Sequence, residues 1–343
     1  MIAPGLAPQS IAAAVRLIRA GELVGLPTET VYGLAANADD AAAVAKIFQA
    51  KGRPADHPLI VHVLGAPQVA HFAQQVPDFA RALMQAFWPG PLTLILQRRD
   101  GVAAAAAGGQ HSIGLRCPSH PVAQALLQAC QEPDASGAGE PVWGVAAPSA
   151  NQFGRVSPTT AAHVQGEFGE PLLILDGGAC SVGIESTIVD CTRGAAVVLR
   201  PGAISRSQVE AVACGPLPEG TGLQTGPATA PRASGMLESH YAPRAKVRLM
   251  DERSLQAALD LLGADLDASS TVIATYSRAV LRSRSSKLIR RRMPDDATAT
   301  AQQLFAVLRD FDAQGARLIW VETPPDTPEW EGVRDRLQRA AAA

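Results

Sequence analysis

The sequence is poor in aromatic residues and in lysine. Aromatic side chains make up only 4% of the 343 residues, so Ala, Val and Leu must fill most of the core. Lysine occurs four times among the 30 Lys and Arg residues, and the formal net charge is −2. This charge argues against a protein that binds nucleic acid over its whole surface, although a local basic patch stays possible.

Long apolar runs and paired cysteines are also missing. No stretch of about 18 apolar residues predicts a membrane span, and the N-terminus reads as an amphipathic helix rather than a signal peptide. The five cysteines, Cys214 among them, are scattered without a CxxC pair, so neither a zinc site nor a disulfide framework is indicated. We therefore expect a cytoplasmic protein with no membrane contact.

Apolar strands mixed with helices predict an α/β domain over residues 1–210, with a large twisted open sheet flanked by helices. The predicted strands are 23–27, 58–64, 92–97, 112–116, 143–148, 172–175, 186–190 and 196–200. Residues 131–141 are predicted as a polar loop, and the Gly/Pro-rich residues 211–244 as a linker. Residues 245–343 alternate strand and helix again, which predicts a smaller Rossmann-like domain without a dinucleotide-binding GxGxxG.

Polar and basic side chains follow several of the predicted strands. The stretch GLPTETVYGLAA places hydroxyl side chains around Glu29 directly after the first of them, and we interpret Glu29 as an organiser of this turn. Lys51 and Arg53 lie two apart on a turn, where they could hold phosphate or simply complement a helix dipole. His62 lies within a strand, where a satisfied core histidine is the commoner outcome.

Small hydrogen-bonding groups follow later strands. Ser149 and Asn151 leave a strand at a point where open α/β sheets bind ligands. Ser157 is predicted to cap a helix whose first residue is Pro158. Arg116 and Arg200 end their strands and could bind anions, or each could be solvated. The motifs of P-loop enzymes, HExxH metalloenzymes and GxSxG hydrolases are absent from the sequence.

Six stretches occur in a fixed order along the chain: PTETVYGL, KGRPADHPLIVHV, FWPGPLTLIL, APSAN with SPTT, ESTIVD and VLRPG. In this order they resemble the YrdC-like family of threonylcarbamoyl-AMP synthases, and SGMLESHYAPRAKV with the second domain resembles its long, two-domain form. The resemblance implies a nucleotidyltransferase that forms threonylcarbamoyl-adenylate and pyrophosphate from L-threonine, bicarbonate or CO2, and ATP with Mg2+. Other proteins would transfer the product to tRNA to give N6-threonylcarbamoyladenosine.

The resemblance also implies roles for individual residues. It implies that no side chain of the protein binds a metal ion directly. The threonine pocket would comprise Thr30, His62, Arg116, Ala147 and Ser186. The ATP site would comprise Lys51, Arg53, His57, Ser112, Ser149, Asn151, Ser157, Arg200 and Tyr241. Lys51 and Arg53 would be the catalytic pair at the triphosphate, and Tyr241 would close over ATP from the linker. His57 stands where the family usually has asparagine, which predicts ATP binding that is sensitive to pH near neutrality.

Two alternatives remain at this point. The chain could be a non-catalytic RNA-binding module with a concave basic surface, whereas for the enzyme the resemblance implies at most a weak contact with tRNA. It could also be a carbamoyl-adenylating enzyme on the same fold, although such enzymes carry zinc-finger-like and acylphosphatase-like segments that are missing here.

Overall fold

The computed structural model describes residues 1–133, 140–213, 231–236, 240–263 and 265–343. Cys214, part of the predicted loop 131–141 and most of the predicted linker lie outside these residues. The chain divides into two compact units, one comprising Met1–Phe153 and Ser157–Met236, the other Gly154–Val156 and Leu237–Ala343. The domain limits at residues 210 and 244 stay a prediction.

The described part of the first unit contains one large mixed sheet with helices around it, which confirms the predicted α/β class. Its strands are β1 (Ile2–Pro4), β2 (Val24–Leu26), β3 (Gly33–Asn37), β4 (Ile60–His62), β5 (Ala73–Gln75), β6 (Leu92–Arg98), β7 (Ser112–Arg116), β8 (Val145–Ala146), β9 (Leu173–Asp176), β10 (Thr187–Asp190) and β11 (Val197–Arg200). Their order is β1-β9-β2-β3-β8-β4-β7-β6-β10-β11, and β5 pairs with β6. The helices are α1 (Pro8–Arg19), α2 (Ala41–Lys51), α3 (Ala66–Phe72), α4 (Asp78–Phe87), α5 (Pro121–Gln131), α6 (Ala161–Phe168) and α7 (Arg206–Ala213).

The order of the central strands brings three strand ends together. β4 and β7 run parallel with His62 opposite Arg116. Next to β7 lies β6, with Leu94 opposite Leu115. β10 follows, with Thr187 opposite Leu92. The polar residues at the end of β7 and just before β10 are therefore separated by a single strand.

Helix α2 ends in a tight turn at Gly52. Asp40 caps its first turn by accepting hydrogen bonds from the backbone N–H groups of Ala42 and Ala43. At its other end Gly52 adopts φ +61°, a left-handed conformation that glycine takes at little cost. The chain consequently reverses between Lys51 and Arg53.

The second unit contains a parallel sheet of four described strands, as predicted for a small Rossmann-like domain. The strands β12 (Lys246–Met250), β13 (Ile273–Ser277), β14 (Ile289–Arg292) and β15 (Leu318–Glu322) follow the order β12-β15-β13-β14. Helices α8 (Glu252–Leu262), α9 (Asp265–Ala268), α10 (Ala297–Ala313) and α11 (Glu331–Ala341) complete it. In neither unit does a described helix have the length and apolar character needed to cross a membrane.

Candidate active site

The turn after β2 holds a buried ion pair. Glu29 Oε1 lies 2.7 Å from Arg116 Nη2, and both side chains are buried. Arg116 Nη1 also donates a hydrogen bond of 2.8 Å to Thr30 Oγ1, and Glu29 Oε2 accepts one of 3.1 Å from Ser119 N. The carboxylate among small hydroxyl groups in PTETVYGL is thus the counter-charge of an arginine on β7.

His62 lies beside this pair as a neutral imidazole. Burial, and secondarily the positive charge of Arg116, lowers the pKa of His62 to about 3. Its buried Nδ1 has no hydrogen-bond partner among the described residues. Because a buried polar atom without a partner is costly, this nitrogen is suited to contact a polar ligand.

Lys51 is the last residue of α2, and its side chain reaches the segment that follows β8. Its ammonium donates hydrogen bonds to the backbone carbonyls of Ser149, at 2.6 Å, and Asn151. Burial, followed by the charge of Arg53, holds the pKa of Lys51 well below its usual range. An anion bound beside Lys51 would therefore stabilise the ammonium form and raise its pKa.

Arg53 and Arg200 meet at one residue of the segment 231–236. Arg53 Nη2 donates to Ser234 Oγ over 3.4 Å, and Arg200 Nη1 donates to the Ser234 carbonyl over 2.9 Å. Ser112 lines the narrow cleft beside this segment. Arg200 Nη2 also donates to the carbonyl of Ser186, at 2.8 Å, and to its Oγ, at 3.2 Å. Two buried guanidinium groups and small hydroxyls therefore surround one short segment.

Ala147 and its neighbours lie against the PTETVYGL turn. Gly33 forms a bridge with Ser149, and Ala147 N donates a 3.0 Å hydrogen bond to the carbonyl of Ile60. A side chain on Gly33 would meet the Cβ of Ala147 at 3.1 Å, so glycine permits this close approach. The backbone near Ala147 is thereby held next to Gly33, at the start of β3.

The prediction that Ser157 caps a helix is wrong. Helix α6 begins at Ala161, and Thr160 caps it by accepting a hydrogen bond from His163 N. The carbonyl of Pro158 instead accepts a 2.9 Å hydrogen bond from Tyr32 N, which ties this segment to the β2–β3 turn. Ser157 Oγ, completely buried, donates to the carboxylate of Glu185.

His57 lies at the rim of the Lys51 turn. Its ring is 5.5 Å from that of Phe153, in an edge-to-face arrangement. Partial burial, then the charge of Arg53, lowers the pKa of His57. The change of its charge therefore falls at a more acidic pH than the sequence suggested.

Tyr241 belongs to the second unit. It adopts φ +61°, is buried, and stacks on Phe305 with ring centres 5.4 Å apart. The guanidinium of Arg336 lies 5.4 Å from its ring centre. Its action over ATP stays a prediction.

Sequence reasoning missed three residues of the first unit that contact predicted site residues. Glu29 was interpreted as a turn organiser, Glu185 went unnoticed beside Ser186, and Ser234 was treated as part of a linker. An isolated acidic residue within a run of small residues, as in PTET and GIEST, was the available signal for the two carboxylates. No comparable signal existed for Ser234.

A separate cavity of about 1060 Å³ opens beyond the ends of β4 and β7. Its walls include Trp88, Pro89, Cys117 and residues of α3 and α4, with Arg81 as a cation. This lining is too apolar to suit a triphosphate. Among the described residues no group of three or more His, Cys, Asp or Glu side chains could hold a metal ion.

Small hydroxyl groups and buried cations thus lie at the ends of central strands of a YrdC-like α/β fold. The family described as telomere recombination, which comprises Sua5, YciO and YrdC proteins, matches residues 16–202. The threonylcarbamoyl-AMP synthase C-terminal domain matches residues 204–342. The chain belongs to the threonylcarbamoyl-AMP synthase family in its two-domain form.

Full-length relatives agree with this assignment. The threonylcarbamoyl-AMP synthase of Bacillus subtilis is 38% identical over 336 residues, covering 96% of this chain and 92% of that protein. The synthase of Pyrococcus abyssi is 35% identical over 335 residues, covering 96% and 93%. The crystal structure of P. abyssi Sua5 complexed with L-threonine aligns with a TM-score of 0.83 at 33% identity, covering 96% of this chain and 94% of that one.

Proposed function

We propose that this protein joins L-threonine, bicarbonate or CO2, and ATP into threonylcarbamoyl-adenylate, releasing pyrophosphate. The observation that carries the proposal is the burial of Lys51, Arg53, Arg116 and Arg200 among small hydroxyl groups of one unit. A reaction between two anionic substrates requires such fixed positive charge, because mutual repulsion otherwise keeps the substrates apart.

L-Threonine would bind at the ends of β4 and β7. Arg116 would orient its carboxylate, Thr30 would meet the polar side chain, and the unpartnered Nδ1 of His62 would contact a further polar atom. Ser186 and the backbone at Ala147 would complete the pocket. L-Threonine and Glu29 would both contact Arg116. The Glu29 carboxylate would therefore orient the guanidinium toward the substrate.

ATP would bind along Lys51, Arg53 and Arg200. A triphosphate beside Lys51 would offset the burial and the Arg53 charge that disfavour its ammonium form. Arg53 and Arg200 supply planar donors that match phosphate oxygens. The remaining contacts would come from His57, Ser112, Ser149, Asn151, Ser157 and Tyr241.

The reaction would proceed in two steps. The threonine amine attacks the carbon of CO2, or of bicarbonate with loss of water, and gives an N-carboxylate after losing a proton. An oxygen of that carboxylate then attacks the α-phosphorus of ATP, and the bond from this phosphorus to the β-phosphate bridging oxygen breaks to release pyrophosphate. The protein contributes by aligning the reactants and by stabilising the developing charge.

The linker, residues 211–244, would close over the nucleotide. The contacts of Ser234 with Arg53 and Arg200 support a lid that rests on the phosphate-binding groups. Mg2+ would arrive bound to the ATP phosphates, whose oxygens are ligands that this ion prefers. The ion would neutralise phosphate charge when bound.

The setting of the reaction is also part of the proposal. We expect a cytoplasmic enzyme whose product passes to the proteins that transfer the threonylcarbamoyl group to tRNA. Any contact of the enzyme itself with tRNA would be weak.

Pyrophosphate release tests the proposal. Release should require L-threonine, bicarbonate and ATP together, and threonylcarbamoyl-adenylate should be detected by mass spectrometry. Arg200→Gln should lower kcat/KM at least about thirtyfold, the lower end of the roughly 2–5 kcal/mol cost of removing one member of a buried charged contact.

Arg81→Gln is the matched control, because Arg81 forms an exposed ion pair with Asp78 on α4, over 3.4 Å, outside the proposed site. It should retain activity within about twofold, as for ordinary surface substitutions. Activity that depends on carbamoyl phosphate instead of threonine and bicarbonate would identify a carbamoyl-adenylating enzyme. Binding of tRNA without pyrophosphate release would identify an RNA-binding module.

A further inference from the structure

The second unit carries a concentration of positive charge that the proposed reaction does not use. Residues 277–293, here called the basic segment, contain no Asp or Glu although the whole chain has a net charge of −2. Its seven cationic residues are Arg278, Arg282, Arg284, Lys287, Arg290, Arg291 and Arg292. With seven cations and no acidic residue, this short part of the chain carries a formal charge of +7.

The fold places the basic segment at one edge of the small sheet. β14 is the last strand in the order β12-β15-β13-β14, and Arg290, Arg291 and Arg292 lie on it with exposed side chains. The loop before it is fixed to α8, because the backbone of Arg282 exchanges two hydrogen bonds with the amide of Gln256. The basic segment is thus held in place by the fold rather than being a flexible tail.

Some of these charges already have partners. Arg278 pairs with Glu322, Arg291 pairs with Asp310 and Arg292 pairs with Asp295. Lys287 donates to the carbonyls of Asp267 and Ser269. These four side chains are occupied mainly within the fold.

Three arginines are left over. Arg282, Arg284 and Arg290 are exposed and make no ion pair among the described residues. Arg290 Nη2 donates to the carbonyl of Ser283 over 3.4 Å, which places its guanidinium beside the loop positions 282 and 284. Three arginines without an ion-pair partner among the described residues therefore belong to β14 and the loop directly before it.

Protection of the sheet edge explains only part of this pattern. Charged side chains on an edge strand hinder pairing with other chains, which accounts for charges on β14. It does not account for Arg282 and Arg284, which lie in the loop. Guanidinium groups instead suit phosphate oxygens, which they bind with two parallel hydrogen bonds.

We propose that the basic segment binds the phosphate backbone of a structured RNA, with Arg282, Arg284 and Arg290 as its main contacts. The choice of RNA over an anionic membrane rests on the proposed function, whose product is consumed in tRNA modification. Among the described residues of this unit only Val280 and Leu261 are exposed large apolar side chains, which offer little surface for insertion into a bilayer.

The test uses the full chain, an unmodified tRNA transcript and filter binding over a range of salt concentrations. The triple variant Arg282→Gln, Arg284→Gln, Arg290→Gln should reduce the slope of log affinity against log salt by about 2, and lower affinity at least about tenfold at about 0.1 M salt. The matched control replaces three exposed cations outside the linker with Gln, namely Lys246 and Arg248 on β12 at the opposite edge, and Arg317, whose carbonyl accepts a hydrogen bond from Lys246 N. The control should bind within about twofold of the wild type.

Several results would overturn the proposal. They are an equal loss in both triple variants, no binding of tRNA by the wild type, and binding to phosphatidylserine vesicles but not to tRNA. Arg284→Gln alone provides a milder variant should the triple variant lose its native circular dichroism spectrum. Pyrophosphate release, measured in parallel, should be unchanged in both triple variants. Its absence from the wild type would refute the proposed function and leave the RNA measurement interpretable.

Discussion

Glu29 and Arg116 form a buried ion pair, with 2.7 Å between Glu29 Oε1 and Arg116 Nη2. The two residues belong to distant parts of the chain, the turn after β2 and the end of β7. Both carboxylate oxygens have a partner, because Glu29 Oε2 accepts a hydrogen bond from Ser119 N. The pair therefore fixes the guanidinium that we assign to the threonine carboxylate.

Replacing Glu29 with Gln should destabilise the protein by roughly 3–5 kcal/mol, because it leaves Arg116 buried without its counter-charge. The double variant Glu29→Gln, Arg116→Gln should be less destabilised than the sum of the two single variants, by about 0.5–3 kcal/mol. Urea unfolding of the four proteins measures this coupling. Additive effects would show that the two groups do not stabilise each other.

Variants of the two subsites should affect different substrates. Thr30→Val keeps the side-chain shape but loses the hydroxyl that accepts from Arg116, and it should raise KM for L-threonine about tenfold, as expected for about 1.4 kcal/mol. Lys51→Gln should instead raise KM for ATP and lower kcat. Steady-state kinetics with each substrate varied in turn would separate the two patterns. Identical effects on both substrates would contradict the assigned subsites.

His62 should make the protein sensitive to acid. Its pKa is about 3 in the folded protein, against an ordinary value of 6.5. Between these pH values the unfolded chain binds a proton that the folded protein does not, so stability falls by up to about 1.4 kcal/mol per pH unit as pH decreases. His62→Gln removes this loss, so the free energies of unfolding of the two proteins should converge on acidification, or cross. Parallel curves would mean that His62 titrates normally.

His57 should leave ATP binding nearly independent of pH around neutrality. Burial and Arg53 lower its pKa, so it is uncharged there and resembles the family's asparagine. The ratio of KM for ATP between the wild type and His57→Asn should be constant from about pH 7 to 8. In more acid solution protonated His57 should bind phosphate better, which lowers the wild-type KM relative to the variant. A ratio that changes most steeply above about pH 7 would contradict the lowered pKa.

Local patterns predicted the architecture well. Apolar runs such as LTLILQ, 92–97, became strands within a residue or two of their predicted ends, here Leu92–Arg98. The strands that were missed lack that signal. β3, with the sequence GLAAN, has no β-branched residue, and β14, with the sequence IRRR, is an exposed edge. Their strand conformation depends on pairing, of β3 with β2 and β8 and of β14 with β13, rather than on their own composition.

The candidate site was less accessible to sequence reasoning because its contacts are long-range. The family motifs identified the cationic residues, but the pairing of Glu29 with Arg116 depends on where β2 and β7 lie in the sheet. The contact of Ser234 with Arg200 likewise joins two segments 34 residues apart. The cap predicted at Ser157 failed for a similar reason, since Tyr32 takes the Pro158 carbonyl.

A crystal structure of the protein with L-threonine, bicarbonate and α,β-methylene-ATP tests the central claim most directly, because this analogue cannot release pyrophosphate. We expect the threonine carboxylate within hydrogen-bonding distance of Arg116, and the phosphates in contact with Lys51, Arg53 and Arg200. Ligands bound elsewhere, such as in the apolar cavity beside Trp88, with those four side chains untouched, would contradict the account.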